Sequence, residues 1–464
     1  MTNILVALID LFTHHRELPP QANSSDASRP PQETHSCGSP GKLSARIADR
    51  YQCYLPDDLV DWFDGGIWQH TGTSEYCVPV DPNSLLESAP DAIWPGLMPC
   101  DFMPLIGSHA GDWLGVRLDR SNNASQVIQW YHGGGDWIPW GRTLSEAIVY
   151  DAVCHRLPGP KRRHAVPAED FQTTPATRDD RLLSWACGHA GIDEQKVVDP
   201  DFAGMALADF LLSERIAESA VRCELIQNTL AETLSQSFDR RQAESIGVEW
   251  NNAVRWMFDT DLIPNEIRPK LQHELGYTGD DRQDWSLAQH HAEKVVAGFP
   301  EIAWGYDLLG YTFEKSGQWQ RAHQVYCQGI DKSVFTDQSV KLRTHWTSCD
   351  AAKFSAARLV WLGNEHGLKL PASVDQSYLD LLTDKNSERR RVAAQNYWLD
   401  RAGKSESKAD QLDALVAAGW DLGADPIKAF ADILERISHC DESQTARSAL
   451  AAAHRACFKA RYGI

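Results

Sequence analysis

Apolar and polar positions sort the chain into two textures. Between residues 43 and 156 the spacing changes every ten residues or so. Leu55-Pro56-Asp57-Asp58 predicts a helix start, because proline suits a first turn with no donor to give and acids suit the positive end of the helix dipole. Leu59, Trp62 and Phe63 then share one face, and Gly65-Gly66 predicts the stop. Residues 103–107 read as a short strand. Residues 112–119 alternate, with Leu114, Val116 and Leu118 on one side and Trp113, Arg117 and Asp119 on the other. A turn at 120–125 leads to a return strand at 126–132, and Gly133-Gly134-Gly135-Asp136 predicts a second turn. Thr143-Leu144-Ser145-Glu146 has the spacing of a capping box, opening a helix that carries Leu144 and Ile148 on its apolar face. The expectation is helix, long loop, about three antiparallel strands and helix: a small α+β domain.

From 181 to 464 the texture is helix after helix, with few strand-like runs. Residues 1–15 predict a short helix with Ile4, Leu5, Leu8, Leu11 and Phe12 on one face. Asp10 interrupts that run, and no basic segment precedes it, so it does not read as a secretion signal. Residues 16–42 and 157–180 are rich in proline and polar residues and read as linkers. The fold class expected is therefore an α+β domain with an antiparallel sheet at 43–156, then an all-α helical array at 181–464.

The array carries an internal period. Leu275-Gly276 recurs 34 residues on as Leu309-Gly310, Trp285 as Trp319, and Ala288 as Ala322. This spacing resembles the tetratricopeptide repeat near 269–334. In the second copy Gly317 falls at the turn between helices and Tyr326 fills the aromatic position of the second helix. Small Gly310 and Ala322 would let two helices approach closely. The first copy departs in its first helix, where Gly279-Asp280-Asp281 interrupts.

Composition sharpens the picture in one place. The chain of 464 residues carries a formal charge of −19 and 17 tryptophans. Residues 51–150 hold seven of those tryptophans and thirteen acids against three arginines, with no lysine. Phosphate backbones would be repelled by such a surface, which argues against direct nucleic-acid binding. A basic protein partner would be steered toward it, with Trp side chains as anchors. Trp137 and Trp140, beside the turn at 133–136 and Pro139, and Trp94 in the long loop are the expected surface anchors, with Asp112, Trp113 and Asp136 beside them. The eleven cysteines form no CxxC and no regular spacing, so a reducing, cytoplasmic setting is expected. No run approaches the ~18 apolar residues of a membrane span.

The run Leu55-Pro56…Gly65-Gly66, Leu105-Ile106-Gly107…Gly111-Asp112-Trp113-Leu114…Leu118-Asp119, Val127…Trp130…His132 resembles the SUKH superfamily of Syd, Smi and Knr type over about 43–155. The loop from Trp68 to Met103 is longer than the family pattern, and the remainder of the chain lies outside it. The resemblance implies binding without catalysis: bacterial members are immunity proteins that mask a toxin, and fungal relatives regulate through protein contacts.

Chemistry-bearing motifs do not emerge. There is no phosphate-binding loop, no dinucleotide fingerprint, no HExxH and no GxSxG. Ser108, His109 and Asp112 supply triad residue types, but from one loop, where triad geometry is hard to reach. No metal ligand set and no cofactor site is expected. The leading expectation is a non-enzymatic protein-binding module of immunity type. The alternative is a regulatory or scaffold protein that binds through the repeat array. An enzyme in the helical region would require a deep pocket with paired perturbed titratable groups.

Overall fold

Alternation in the first part produces a five-stranded antiparallel sheet with strands in chain order, seen in a computed structural model. It describes residues 42–464 except 71, 73, 133, 159–179, 236–238, 251, 254–255, 257–262, 277–284, 337–350, 426 and 441–444. The expected helix at 1–15 and nearly all of both expected linkers lie outside the described residues.

Among the described residues two α-helices, α1 (Leu43–Tyr51) and α2 (Asp57–Asp64), precede the sheet and pack on each other. Leu59, Trp62 and Phe63 of α2 are buried, as their spacing predicts. Strand β1 (Tyr76–Pro79) and the single turn α3 (Pro82–Leu85) come next. Then follow β2 (Phe102–Ser108), β3 (Trp113–Leu118), β4 (Ala124–Trp130), β5 (Trp137–Gly141) and α4 (Leu144–Val153). The β2–β3–β4 hairpins fall where the alternation places them. Strands β1 and β5 were not expected: β1 is four residues long, and Pro139 interrupts β5. At the start of α4, Thr143 Oγ1 accepts from the Glu146 amide at 3.3 Å. The Glu146 carboxylate turns instead to the Arg142 amide at 3.1 Å, so only half of the expected box forms.

The helical part runs α5 (Arg181–Ala190), α6 (Glu194–Val198), α7 (Gly204–Ser213), α8 (Glu218–Ser235), α9 (Arg240–Ser245), α10 (Arg268–Leu275), α11 (Ser286–Gly298), α12 (Ala303–Lys315) and α13 (Trp319–Gly329). It ends with α14 (Phe354–His366), α15 (Gln376–Leu382), α16 (Ser387–Lys404), α17 (Lys408–Trp420), α18 (Ile427–Ser438) and α19 (Ala446–Tyr462). Consecutive helices are neighbours from α11 to α14 and from α15 to α19.

The 34-residue spacing reports a real helix pair in its second copy. Helices α12 and α13 pack tightly, and a Cβ on Gly310 would lie 2.2 Å from Tyr326 Cε1. Leu309, Ala322 and Tyr326 are buried there. Trp319 is half-buried, with its ring stacked 4.2 Å from that of His366. In the first copy, α11 buries Ala288 and Ala292, with Trp285 buried just before it. Leu275 is half-buried at the end of α10, and Gly276 caps that helix with a positive φ. The neighbours of α11 are α8 and α12, so its main partner before it in the chain is α8 rather than α10, the helix that carries Leu275.

The two parts share one hydrophobic core. On one side α5 packs on α4, and α8 packs on β5. The last helix returns to the beginning: α19 packs on α1. It also donates from the Ala446 amide to Asn122 Oδ1 at 3.0 Å and from Cys457 Sγ to the Pro90 carbonyl at 3.2 Å.

Candidate functional site

Register across the sheet sets one row of side chains. Val78 pairs with Gly107, Gly107 with Trp113, Trp113 with Trp130, and Trp130 with Trp137. The row continues past the edge, because Trp137 bridges to Thr336 and donates its amide to the Phe335 carbonyl at 3.1 Å. Gly107 is what makes room, since a Cβ there would meet the Trp113 ring at 3.0 Å.

This arrangement corrects the expected anchors. Trp137 and Trp140 are 4% and 2% exposed. They lie in β5, not in a turn. The segment at 334–336 covers the open edge, stacking Phe335 on Trp137 at 6.2 Å, while Trp140 is wedged between Tyr76 and Tyr150 at 6.0 and 4.8 Å. Trp94 and Trp113 are half-buried, with the Arg461 guanidinium 5.0 Å from the Trp94 ring centre. Asp136 is half-buried, and Asp112 is buried.

The acids are likewise more committed than composition implies. Asp58 accepts from the Leu59 and Ser145 amides, at 2.9 and 3.0 Å. Asp61 accepts from the Trp185 indole and pairs with His189, which holds its carboxyl below the usual range. Glu146 pairs with Arg142 and accepts from the Ala217 amide, tying α4 to the helical part. Burial opposes charge on Asp101, but the Arg117 and Arg447 guanidiniums overcome it and hold the carboxyl low. All three arginines of 51–150 are ion-paired: Arg117 to Asp101 and Glu301, Arg120 to Asp413, Arg142 to Glu146. What remains outside is a set of exposed carboxylates on and around the elements that contact α1. Asp57, Asp81, Glu87 and Asp91 are exposed, and among the described residues none of these carboxylates is in an ion pair.

The triad residue types do not assemble. Ser108 Oγ accepts from the Asp112 amide at 3.1 Å, while the Asp112 carboxylate engages His132 Nδ1 at 2.8 Å. His109 turns to Cys77, with Nε2 3.4 Å from Sγ. Burial and the neighbouring Asp151 push that thiol up, away from the thiolate a nucleophile needs. Among the described residues no group of three or more His, Cys, Asp or Glu could hold a metal ion, and no helix is long and apolar enough to cross a membrane.

A large concavity lies where the sheet meets the C-terminal helices. It is a cleft of about 750 Å³, with Arg117 and Trp137 on the sheet side and Asp331, Trp398, Asp413 and Asp421 on the helical side. Two of its lining residues, Asp421 and Trp398, belong to a buried polar network that lies behind it. Lys353 Nζ donates to the Ile330 carbonyl at 2.6 Å, to the Tyr378 hydroxyl at 3.0 Å and to Asp421. Tyr378 Oη and Trp398 Nε1 also donate to Asp421, the latter at 2.9 Å. Asp331 faces the cleft, where burial pushes its carboxyl up against the partial opposition of Lys353. Sequence reasoning missed these residues. They come from segments separated by up to about 90 positions along the helical part, so no local pattern joins them.

No family model, curated protein or solved structure matches this chain.

Proposed function

We propose that the chain is a cytoplasmic, non-enzymatic protein-binding module whose first part is a SUKH-like domain. Its partner is a basic protein, in the immunity reading a toxin. One observation carries this: Asp57, Asp81, Glu87 and Asp91 are exposed and make no ion pair among the described residues, while all three arginines of 51–150 are neutralised internally. Such a surface raises the encounter rate with a cationic partner and repels nucleic acid. Trp94 and Trp113, both half-buried, take the anchor role in place of the buried Trp137 and Trp140.

The test is co-expression with the products of the neighbouring genes, scored by growth protection and co-purification. A protected, co-purifying pair is expected. Its affinity should fall steeply with salt, and by at least tenfold in the D57K/D81K/E87K/D91K variant. Absence of both protection and complex overturns the immunity reading. A complex indifferent to the charge reversal shifts binding to the array. The observation favouring that scaffold alternative is the half-exposed ring cluster of Trp319, Trp361 and His366 at α13 and α14.

A further inference from the structure

The fold leaves one large aromatic side chain in water. Among the described residues every other phenylalanine, tyrosine and tryptophan is buried or half-buried, while Tyr54 is 70% exposed. Its ring and hydroxyl have no partner among those residues. Tyr54 lies in the short connection between α1 and α2, on the side of the molecule that carries the exposed acids.

The backbone beneath that ring is fixed. The Tyr54 amide donates to the Asn122 carbonyl at 2.8 Å, and its carbonyl accepts from the Ala124 amide at 2.9 Å. The turn it leans on is itself tied down. Asp119 accepts from the Ser121 and Asn123 amides at 2.8 and 2.9 Å, and Asn122 Oδ1 accepts from the start of α19. Gln52 (φ 51°) and Asn122 (φ 64°) both hold left-handed conformations that side chains rarely adopt. The chain accepts this strain where it leaves α1 and sets Tyr54 outward, and such strain gathers at functional positions. A ring mounted this way has little freedom left to lose on binding, because its backbone is already ordered and only two side-chain torsions remain.

The charges around it select the contact. Asp57 stands three residues on, at the first position of α2, and Asp49 lies in the last turn of α1. Both are exposed, and neither carboxylate has a partner among the described residues. The neighbouring cations are spent: Arg50 donates to the Leu85 and Glu87 carbonyls, and Arg120 pairs with Asp413. An open π face between unpaired carboxylates suits a cation. A guanidinium suits it better than an ammonium, because it is planar, stacks flat on a ring and still has donors for a carboxylate. We propose that Tyr54 is a stacking platform of the protein-binding face: an arginine of the basic partner lies on its ring while Asp57 and Asp49 take up the charge. This rests on the reading of the chain as a binder of basic proteins, and it adds the residue and the cation that make the contact.

The full-length chain labelled with 3-fluorotyrosine gives a local readout, with the Tyr54 fluorine resonance identified as the one lost in Y54F. The peptide acetyl-Gly-Arg-Gly-Arg-Gly-amide and its lysine counterpart stand in for the partner at low salt. The Tyr54 resonance should move saturably with the arginine peptide, and the lysine peptide should bind about two- to fivefold more weakly. Y54A and D49N/D57N should each weaken the arginine peptide by about the same factor in calorimetry, with near-ultraviolet circular dichroism showing the fold intact. A Tyr54 resonance that stays still, or that follows both peptides equally, overturns the platform. So does a Y54A chain that binds the arginine peptide as tightly as the parent. The D57K/D81K/E87K/D91K variant separates this from the wider reading. If it loses the peptides while Y54A keeps them, the acidic face stands without Tyr54; if neither peptide binds the parent chain, both fall.

Discussion

Replacing Gly310 by alanine separates packing from helix propensity. In an exposed helix interior the change is favourable by about 1 kcal/mol, because glycine has more backbone freedom to lose. At Gly310 the new methyl would stand 2.2 Å from Tyr326 Cε1 and 2.6 Å from Cδ1 and Cζ. Carbon atoms settle at about 3.5–4.0 Å, so the ring must retreat by more than an ångström. It has nowhere to go: Tyr326 is fully buried, with the Phe354 ring 6.1 Å away. Overpacking of this kind costs about 1–3 kcal/mol, and a clash this deep belongs at the upper end. After crediting propensity, the net loss is about 1–2 kcal/mol. Gly403, also in a helix, has no heavy atom within 4 Å of its missing Cβ, so G403A should gain about 0.5–1 kcal/mol. Urea unfolding followed by tryptophan fluorescence reads both. The midpoint should fall for G310A, rise for G403A, and partly recover in G310A/Y326L. A G310A protein as stable as the parent would refute the close approach of α12 and α13.

Further outcomes follow from buried polar groups. His454 is fully buried and its pKa is lowered to about 4, first by burial. The unfolded chain, near 6.5, therefore binds the proton more readily. This contribution to stability is whole above about pH 6.5 and is lost as pH falls toward 4; the loss reaches about 2 kcal/mol at pH 5. Melting temperatures from pH 8 to 4.5 should show the decline, and H454Q should flatten it; an unchanged slope in H454Q would count against the assignment. K353M leaves the buried Asp421 without its cation and should cost about 3–5 kcal/mol in chemical unfolding. K353M/D421N should recover part of that loss, and a double variant as unstable as the single one would argue against the pairing.

Sequence periodicity carried some of this architecture and not the rest, for identifiable reasons. The β3–β4 hairpin and α2 were legible because each buries one face, and a one-sided environment writes itself into spacing. Gly310, Ala322 and Tyr326 were legible for the same reason, since a close helix approach demands small residues at fixed intervals. Strand β5 was not, because its second neighbour is Phe335-Thr336, almost two hundred residues away. Trp137 consequently read as a surface residue beside a turn. The thirteen acids looked like a recognition surface because counting cannot distinguish Asp57, which is exposed, from Asp58, which holds the Ser145 amide at 3.0 Å. The cleft was invisible altogether, since Asp101, Asp331 and Asp421 meet only after the chain has closed on itself.

The return of α19 to α1 has a mechanical consequence. An open helical array is a spring with at least one free end, and it can flex, twist or lengthen along its stack. Here the array is tethered to the same α+β part near both ends, through α5 on α4 and α8 on β5 at one and through α19 on α1 at the other. A beam clamped at both ends loses its softest bending modes. Widening the cleft therefore means undocking a helix rather than bending the stack. Opening should be a discrete event with its own barrier, not a continuous breathing motion.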